Sequence, residues 1–213
     1  MTAHYQESEG ADNMTDIKDK IVRLARLMHA QGLTDTAGGN ISARLDGRIY
    51  MSPRYMGSRY QFEIAPEQIT VLDAATHAVL EGPSDLSRES RMHLAAYEHF
   101  AQVGAVIHAH PHLIQVFGVA GRAMPPVLEY TAKFGVTECI PETPSHSQAL
   151  ADRVVELAQR RAEQLKRTAL GIILPKHGVA VLAPDLDTAY DALERLEENA
   201  RCILYARLLP PEG

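Results

Sequence analysis

The chain opens on a polar run, MTAHYQESEGADN, with no apolar period, and reads as a flexible N-terminal tail over residues 1–14. Thr15 and Asp16 can cap a helix whose apolar side is Ile17, Ile21, Leu24, Ala25 and Met28, ending near Gly32. From Ile41 to Ser52 apolar and polar positions alternate around Asp46-Gly47, a pair suited to a tight hairpin turn, and a second hairpin is predicted from Ile69 to Leu80. Ser87 opens a predicted helix through Phe100. Val103 to Ile107 is a short apolar run that fits a strand covered on both faces. Pro111 starts a short helix to about Val119, and Pro125 to Pro144 reads as loop with brief strands. Ser145 is predicted to cap a helix to about Leu165. Leu170–Leu174 and Val179–Ala183 form paired strands around Pro175-Lys-His-Gly178, and Asp185 begins a last helix that Pro210-Pro211 stops.

Helices interspersed with hairpins predict helical layers on a sheet that is not purely parallel, and residues 15–213 fit a single domain. Hydrophobic residues at 46% leave ample material for a core. The formal net charge of −6 argues against a nucleic-acid partner, since phosphate attraction needs a basic face. No apolar run is long enough to span a bilayer, so no membrane is expected. Cys139 and Cys202 make no disulfide scaffold and suit a reducing compartment; the expected location is the cytoplasm.

Chemistry concentrates in a few places. His108 and His110 flank Ala109 at the end of the buried strand, and side chains two apart on a strand share a face. They can converge on one ion, or simply be hydrogen-bonded at a strand end. His177 follows a second apolar strand, and Gly178 beside it leaves room for close approach. It can complete an open three-histidine metal site or be an ordinary turn residue. Glu89 falls on the first turn of its helix, where a carboxylate either complements the dipole or, beside a metal, shuttles a proton. His93 shares its helix side and reads as a packed or hydrogen-bonding residue. Gly38-Gly39-Asn40 can present backbone N–H groups and an amide to an anion, or be a plain turn.

In order and spacing, GGNISAR (38–44), SRESRMHLAAY (87–97), GAVIHAHP (104–111) and LPKHGVAV (174–181) resemble the class II aldolase/adducin family in its L-fuculose-1-phosphate aldolase-like branch. The resemblance implies a three-layer αβα sandwich around a mixed, mostly antiparallel sheet. It also implies one divalent ion per subunit on His108, His110 and His177, zinc first and manganese, cobalt or iron otherwise. Glu89 matches the catalytic acid/base, and related epimerases with aspartate there look different. A homotetramer with active sites at subunit interfaces is implied, with a tyrosine lent by the neighbour; Tyr130 is the candidate, one residue out of alignment and equally an ordinary packed aromatic.

The activity implied is aldol cleavage of a small hydroxylated keto compound, such as a sugar 1-phosphate, to dihydroxyacetone phosphate and an aldehyde through a metal-stabilised enediolate. The anion-binding candidates are Gly39, Asn40, Ser52, Arg54, Ser87 and Arg88. Two of these segments depart from the sugar-phosphate pattern. Ser52-Pro-Arg-Tyr-Met-Gly-Ser-Arg59 lacks the usual hydroxyl-glycine pair, and Ser87-Arg88 replaces a Ser-Ser pair. Guanidinium groups suit carboxylates as well as phosphates, which keeps open a decarboxylase of a hydroxy or oxo acid on the same metal. Arg54, Arg59 and Arg88 can equally be solvated or ion-paired. A non-catalytic scaffold, as in the adducin branch, is disfavoured by the presence of all three histidines and the glutamate.

Overall fold

A computed structural model describes residues 3–210, with side chains from Asp16 onward. Its elements in chain order are α1 (Ala3–Ala30), β1 (Asn40–Leu45), β2 (Arg48–Met51), β3 (Thr70–Asp73), β4 (Val79–Glu81), α2 (Ser90–His99), β5 (Ala105–Ala109), α3 (His112–Val119), β6 (Glu138–Cys139), α4 (Gln148–Arg160), α5 (Ala162–Leu165), β7 (Leu170–Leu174), β8 (Gly178–Ala183) and α6 (Leu186–Ala206). The eight strands form one sheet in the order β4-β3-β2-β1-β5-β8-β7-β6. Every neighbouring pair is antiparallel except β6 with β7.

Alternation along the strands sends side chains into two cores, which makes three layers. Ala105, Ile107 and Ala109 of β5 join Val179 and Val181 of β8 under α1, α3 and α6. Val106 of β5 joins Leu170, Ile172 and Leu182 under α2 and α4. The expected αβα sandwich with a mostly antiparallel sheet is therefore what the chain builds.

Asp46 and Gly47 both take positive φ, 49° and 73°, as a two-residue hairpin turn matching strand twist requires. Arg44 on β1 donates to the carbonyls of Tyr97, Phe100, Ala101 and Val103, at 2.6–2.8 Å. It thereby neutralises the exposed C-terminal carbonyls of α2 and fixes that helix on the sheet.

Several boundaries differ from expectation. The backbone is helical from Ala3, so Asp16 is interior to α1 rather than its cap, and the side chain of Thr15 lies outside the described residues. Pro111 is the N-cap of α3, one position before the expected first turn. Ser147, not Ser145, caps α4: its Oγ accepts the Leu150 N–H at 3.1 Å. That helix also breaks at Arg161, whose guanidinium is drawn to Glu138 and Gln164 beneath the next turn.

Candidate metal and acid/base centre

His108 is the penultimate residue of β5, on the α2 face of the sheet, directly across from Asn40 of β1. It is 1% exposed, and its Nδ1 donates to the Val179 carbonyl at 3.0 Å. That bond fixes the tautomer and leaves Nε2 with a free lone pair. His110 lies just past the strand. Its backbone N–H donates to Thr34 Oγ1 at 3.3 Å, and its Nδ1 is 3.1 Å from Asp35 Oδ1, so Nε2 is again the free nitrogen. A carboxylate behind a ligating imidazole orients the ring and raises its basicity. His177 sits in the β7–β8 turn, pinned by its own N–H to the Leu174 carbonyl and by Gln115 to its carbonyl.

The three rings converge. Their centroids are 4.7, 5.0 and 5.6 Å apart, and one nitrogen from each lies within 4.8 Å of the others. His108 Nε2 and His110 Nε2 are 3.2 Å apart. Nitrogens bound tetrahedrally to zinc at their usual bond length stand about 3.3 Å apart. The donor set therefore fits a divalent ion with a coordination position to spare. Two glycines make the fit possible. A Cβ on Gly38 would meet His110 Cε1 at 2.1 Å, and one on Gly178 would meet the Ala109 carbonyl at 2.3 Å and His110 Cδ2 at 2.8 Å.

The local electrostatics favour neutral imidazoles. Burial pushes His108 well below the usual histidine range, helped by His177 and His110 nearby. Burial, with His110, His146 and Arg88 adding positive charge, lowers His177 to about 4. Neutral imidazole is the form that ligates metal.

Glu89 is the N-cap of α2 rather than a first-turn residue, because the helix begins only at Ser90. Ser87 Oγ accepts its N–H at 3.3 Å. The carboxylate is 3% exposed, and burial raises its pKa above the ordinary value against the opposing pull of His146 and His110. Oε1 stands 3.3 Å from His177 Nε2 and 2.7 Å from His146 Nδ1. A group held among charge-shifted neighbours in a cleft has the attributes of a proton donor to carbon. Behind it, Ser42 Oγ bridges His93 Nδ1 (2.7 Å) and Tyr97 OH (2.8 Å), and burial depresses His93 to about 3.

A cavity of about 70 Å³ opens over this cluster, lined also by Gly39, Asn40, Arg54, Ser87 and Arg88. Asn40 Oδ1 is buried there with no hydrogen-bond partner. Arg54 is held by Asp85 and stacks on Tyr55, 4.8 Å from guanidinium carbon to ring centroid. Arg59 stacks on the same ring. Arg88 is exposed at the rim. Ser52 does not line the cavity: it is 1% exposed and accepts the Ile41 N–H at 3.0 Å, tying the end of the first hairpin to its start. Tyr130 does not reach the cavity within one subunit either. It lies 42% exposed under Arg195, in a separate groove of about 840 Å³ beside α6. His146 and Asp35 join the site without any advance signal, since each sits in a loop brought there only by tertiary packing.

A family model described as Class II Aldolase and Adducin N-terminal domain matches residues 19–204. A 3-oxo-tetronate 4-phosphate decarboxylase from Haemophilus influenzae is 30% identical over 197 residues, 88% of each chain. A 5-deoxy-D-ribulose 1-phosphate aldolase from Bacillus thuringiensis is 29% identical over 184 residues, 84% of this chain and 80% of that one. Among solved structures, an L-fuculose 1-phosphate aldolase superposes with a TM-score of 0.76 at 24% identity, covering 92% of this chain and 89% of the other, which establishes the shared fold.

Proposed function

The chain belongs to the class II aldolase and adducin N-terminal domain family, and from that premise we propose that it is a divalent-metal-dependent lyase of a small phosphorylated keto compound. The reading favoured first is aldol cleavage of a sugar 1-phosphate to dihydroxyacetone phosphate and an aldehyde. The observation that carries it is the meeting of three imidazoles with one buried, largely desolvated carboxylate. Bound by His108, His110 and His177, a divalent ion, zinc first, supplies Lewis-acid stabilisation for the negative charge that carbon–carbon cleavage leaves beside a ketone.

The remaining work falls to this chain's own groups. Glu89 donates a proton to the carbon from which the fragment departs, and its raised pKa lets it hold that proton nearer neutral pH. The turn at Gly38-Gly39, the Asn40 amide and Ser87 offer donors to the substrate anion on the cavity wall. Arg54 closes that wall while anchored to Asp85. Ser52 supports it from behind by fixing the hairpin. Tyr130, pointing away from its own cavity, fits a role in a neighbouring subunit of a homotetramer in the cytoplasm, where it would handle the aldehyde-side proton.

The experiment is turnover of zinc-loaded protein on a panel of ketose 1-phosphates, read by coupled detection of dihydroxyacetone phosphate, with chelator and Glu89→Gln as controls. Turnover lost in both controls supports the reading; zinc-replete protein inactive on the whole panel counts against it. A second reading, decarboxylation of an oxo acid phosphate, is favoured by Arg88. Its guanidinium lies at the cavity rim one residue from Glu89, with no ion pair among the described residues, in reach of a substrate carboxylate. The name of the Haemophilus relative agrees with that chemistry. Carbon dioxide release from 3-oxo-tetronate 4-phosphate that falls with Arg88→Ser would select it. Release unchanged in Arg88→Ser would remove the arginine's part.

A further inference from the structure

His146 lines the cavity over the three converging imidazoles, yet it has no part in holding the ion, the proton or the substrate anion. It enters from the loop before α4, whereas the donors offered to the anion come from the Gly38–Asn40 turn and from Ser87. The imidazole reaches in as far as the acid/base. Its Nδ1 stands 2.7 Å from Glu89 Oε1, and its ring lies edge to face with that of His177 at 6.0 Å between centroids. The His146 side chain is 34% exposed and that of Glu89 5%, so the imidazole is the outer member of the pair.

The surrounding chain holds it in that place. Its φ is +62°, a left-handed conformation that costs any residue bearing a β-carbon. Arg91, two residues beyond Glu89, donates to the His146 carbonyl at 3.3 Å. On the other side Ser147 caps α4, and its hydroxyl donates to the Pro144 carbonyl at 2.6 Å. Met92 and Ala95 of α2 share a core with Leu150 and Val154 of α4, so the elements carrying Glu89 and His146 are packed together. Backbone strain kept up by such surroundings points to the side chain it aims.

Space is what the imidazole controls. The cavity measures about 70 Å³, where sites for small organic ligands commonly offer roughly 300–1,000 Å³. Glu89 serves the carbon from which the fragment departs, so a side chain lying against Glu89 bounds the room for that fragment. We propose that His146 is a specificity-determining residue, whose imidazole walls the cavity beside Glu89 and restricts the departing fragment to a short one. The inference rests on the metal-lyase reading above and adds a size class to its substrate.

The test needs no turnover. Zinc-loaded protein is titrated calorimetrically with acetohydroxamate, butyrohydroxamate and benzohydroxamate, which chelate an ion alike and differ in the size of the attached group. His146→Gly removes the imidazole where glycine suits the left-handed backbone, and His146→Asn tolerates the same backbone with a smaller side chain. The quantity read is the dissociation constant of benzohydroxamate divided by that of acetohydroxamate, a ratio from which any change in the ion or in Glu89 cancels. One methylene more or less in a pocket is worth about 10–200-fold. The ratio is therefore expected to fall by at least about tenfold from wild type to His146→Gly, with His146→Asn and butyrohydroxamate giving intermediate values. A residue that merely braced its loop would move both constants together and leave the ratio alone. A ratio unchanged or raised in either folded variant overturns the inference while the metal centre stands. A wild type that takes up no zinc overturns the lyase reading and this inference with it.

Discussion

Gly38→Ala puts the site's geometry to the most direct test. The substitution adds one methyl group where no left-handed backbone is involved, so its effect is steric. The new Cβ would lie 2.1, 2.5 and 2.9 Å from Cε1, Nε2 and Nδ1 of His110, against an ordinary contact of 3.4 Å or more. The ring must therefore retreat by 1.3 Å, the difference between 3.4 and 2.1 Å. It cannot slide freely, since Asp35 holds Nδ1 on one side and Gly178 and Ala109 crowd the other. A nitrogen displaced this far leaves bonding distance of an ion held by the other two rings. Loss of outer partners alone costs about 10–100-fold in metal affinity, so losing this ligand should cost at least about 100-fold. Overpacking should cost about 1–3 kcal/mol of stability, a drop of roughly 2–12 °C in melting temperature at this size. Chelator competition and calorimetry on the same preparation read both. A Gly38→Ala protein that binds zinc as tightly as the wild type would refute the placement of His110 and the metal centre built on it.

His110→Ala or His177→Ala should lose metal content and turnover together, whereas Glu89→Gln should keep its zinc and lose turnover; near-normal rates in Glu89→Gln, measured at saturating metal, would sink the acid/base assignment. Glu197 accepts the N–H groups of Leu113 and Ile114 at 2.8 and 3.0 Å, so Glu197→Ala should cost about 2–4 kcal/mol through two orphaned donors at the start of α3, seen as an earlier urea midpoint. For the metal-free protein, His93 (about 3) and His177 (about 4) are depressed from 6.5, so the unfolded chain takes up protons first as pH falls. Their contribution to stability is full above pH 6.5 and declines from there, toward pH 4 for His177 and toward pH 3 for His93. His93→Gln should accordingly show a shallower acid decline than wild type in melting temperature, and parallel curves would contradict it.

Much of the site was legible because its chemistry follows strand ends. His108 and His110 were readable from the period of two at the end of an apolar run, and His177 from its place between two such runs beside Gly178. Glu89 was readable only once the helix start was placed, and even there the helix begins three residues later than expected, at Ser90 rather than Ser87, with Ser87 accepting a backbone N–H before the first helical turn. His146 was invisible, since its arrival depends on α4 packing against α2 and on a left-handed backbone that nothing in Pro144-Ser-His-Ser147 advertises. Asp35 was missed for the same reason: a loop aspartate has many fates, and only the closing of the Thr34–Gly38 turn brings it behind His110. Tyr130 marks the opposite case, a residue whose sequence neighbourhood suggested the site while the fold of a single subunit carries it elsewhere. Among the arginines, type alone could not separate Arg54, already engaged by Asp85, from Arg88, left open at the rim.

The order of strands also divides the molecule into workshop and spare room. All three imidazoles come from the end of β5 and the turn between β7 and β8, in the interior of the ribbon, while β4 lies three strands outward from β1 at one border. The turn joining β3 to β4, from Asp73 to Val79, is closed mainly by Asp73, whose carboxylate accepts the N–H groups of Ala75 and Thr76, with outside ties only through Ala74 to the Gly47 carbonyl and His77 to Glu98 among the described residues. Peptide tags or whole guest modules spliced there should leave catalysis intact, making that border the natural place to tether the protein to a surface or a partner enzyme.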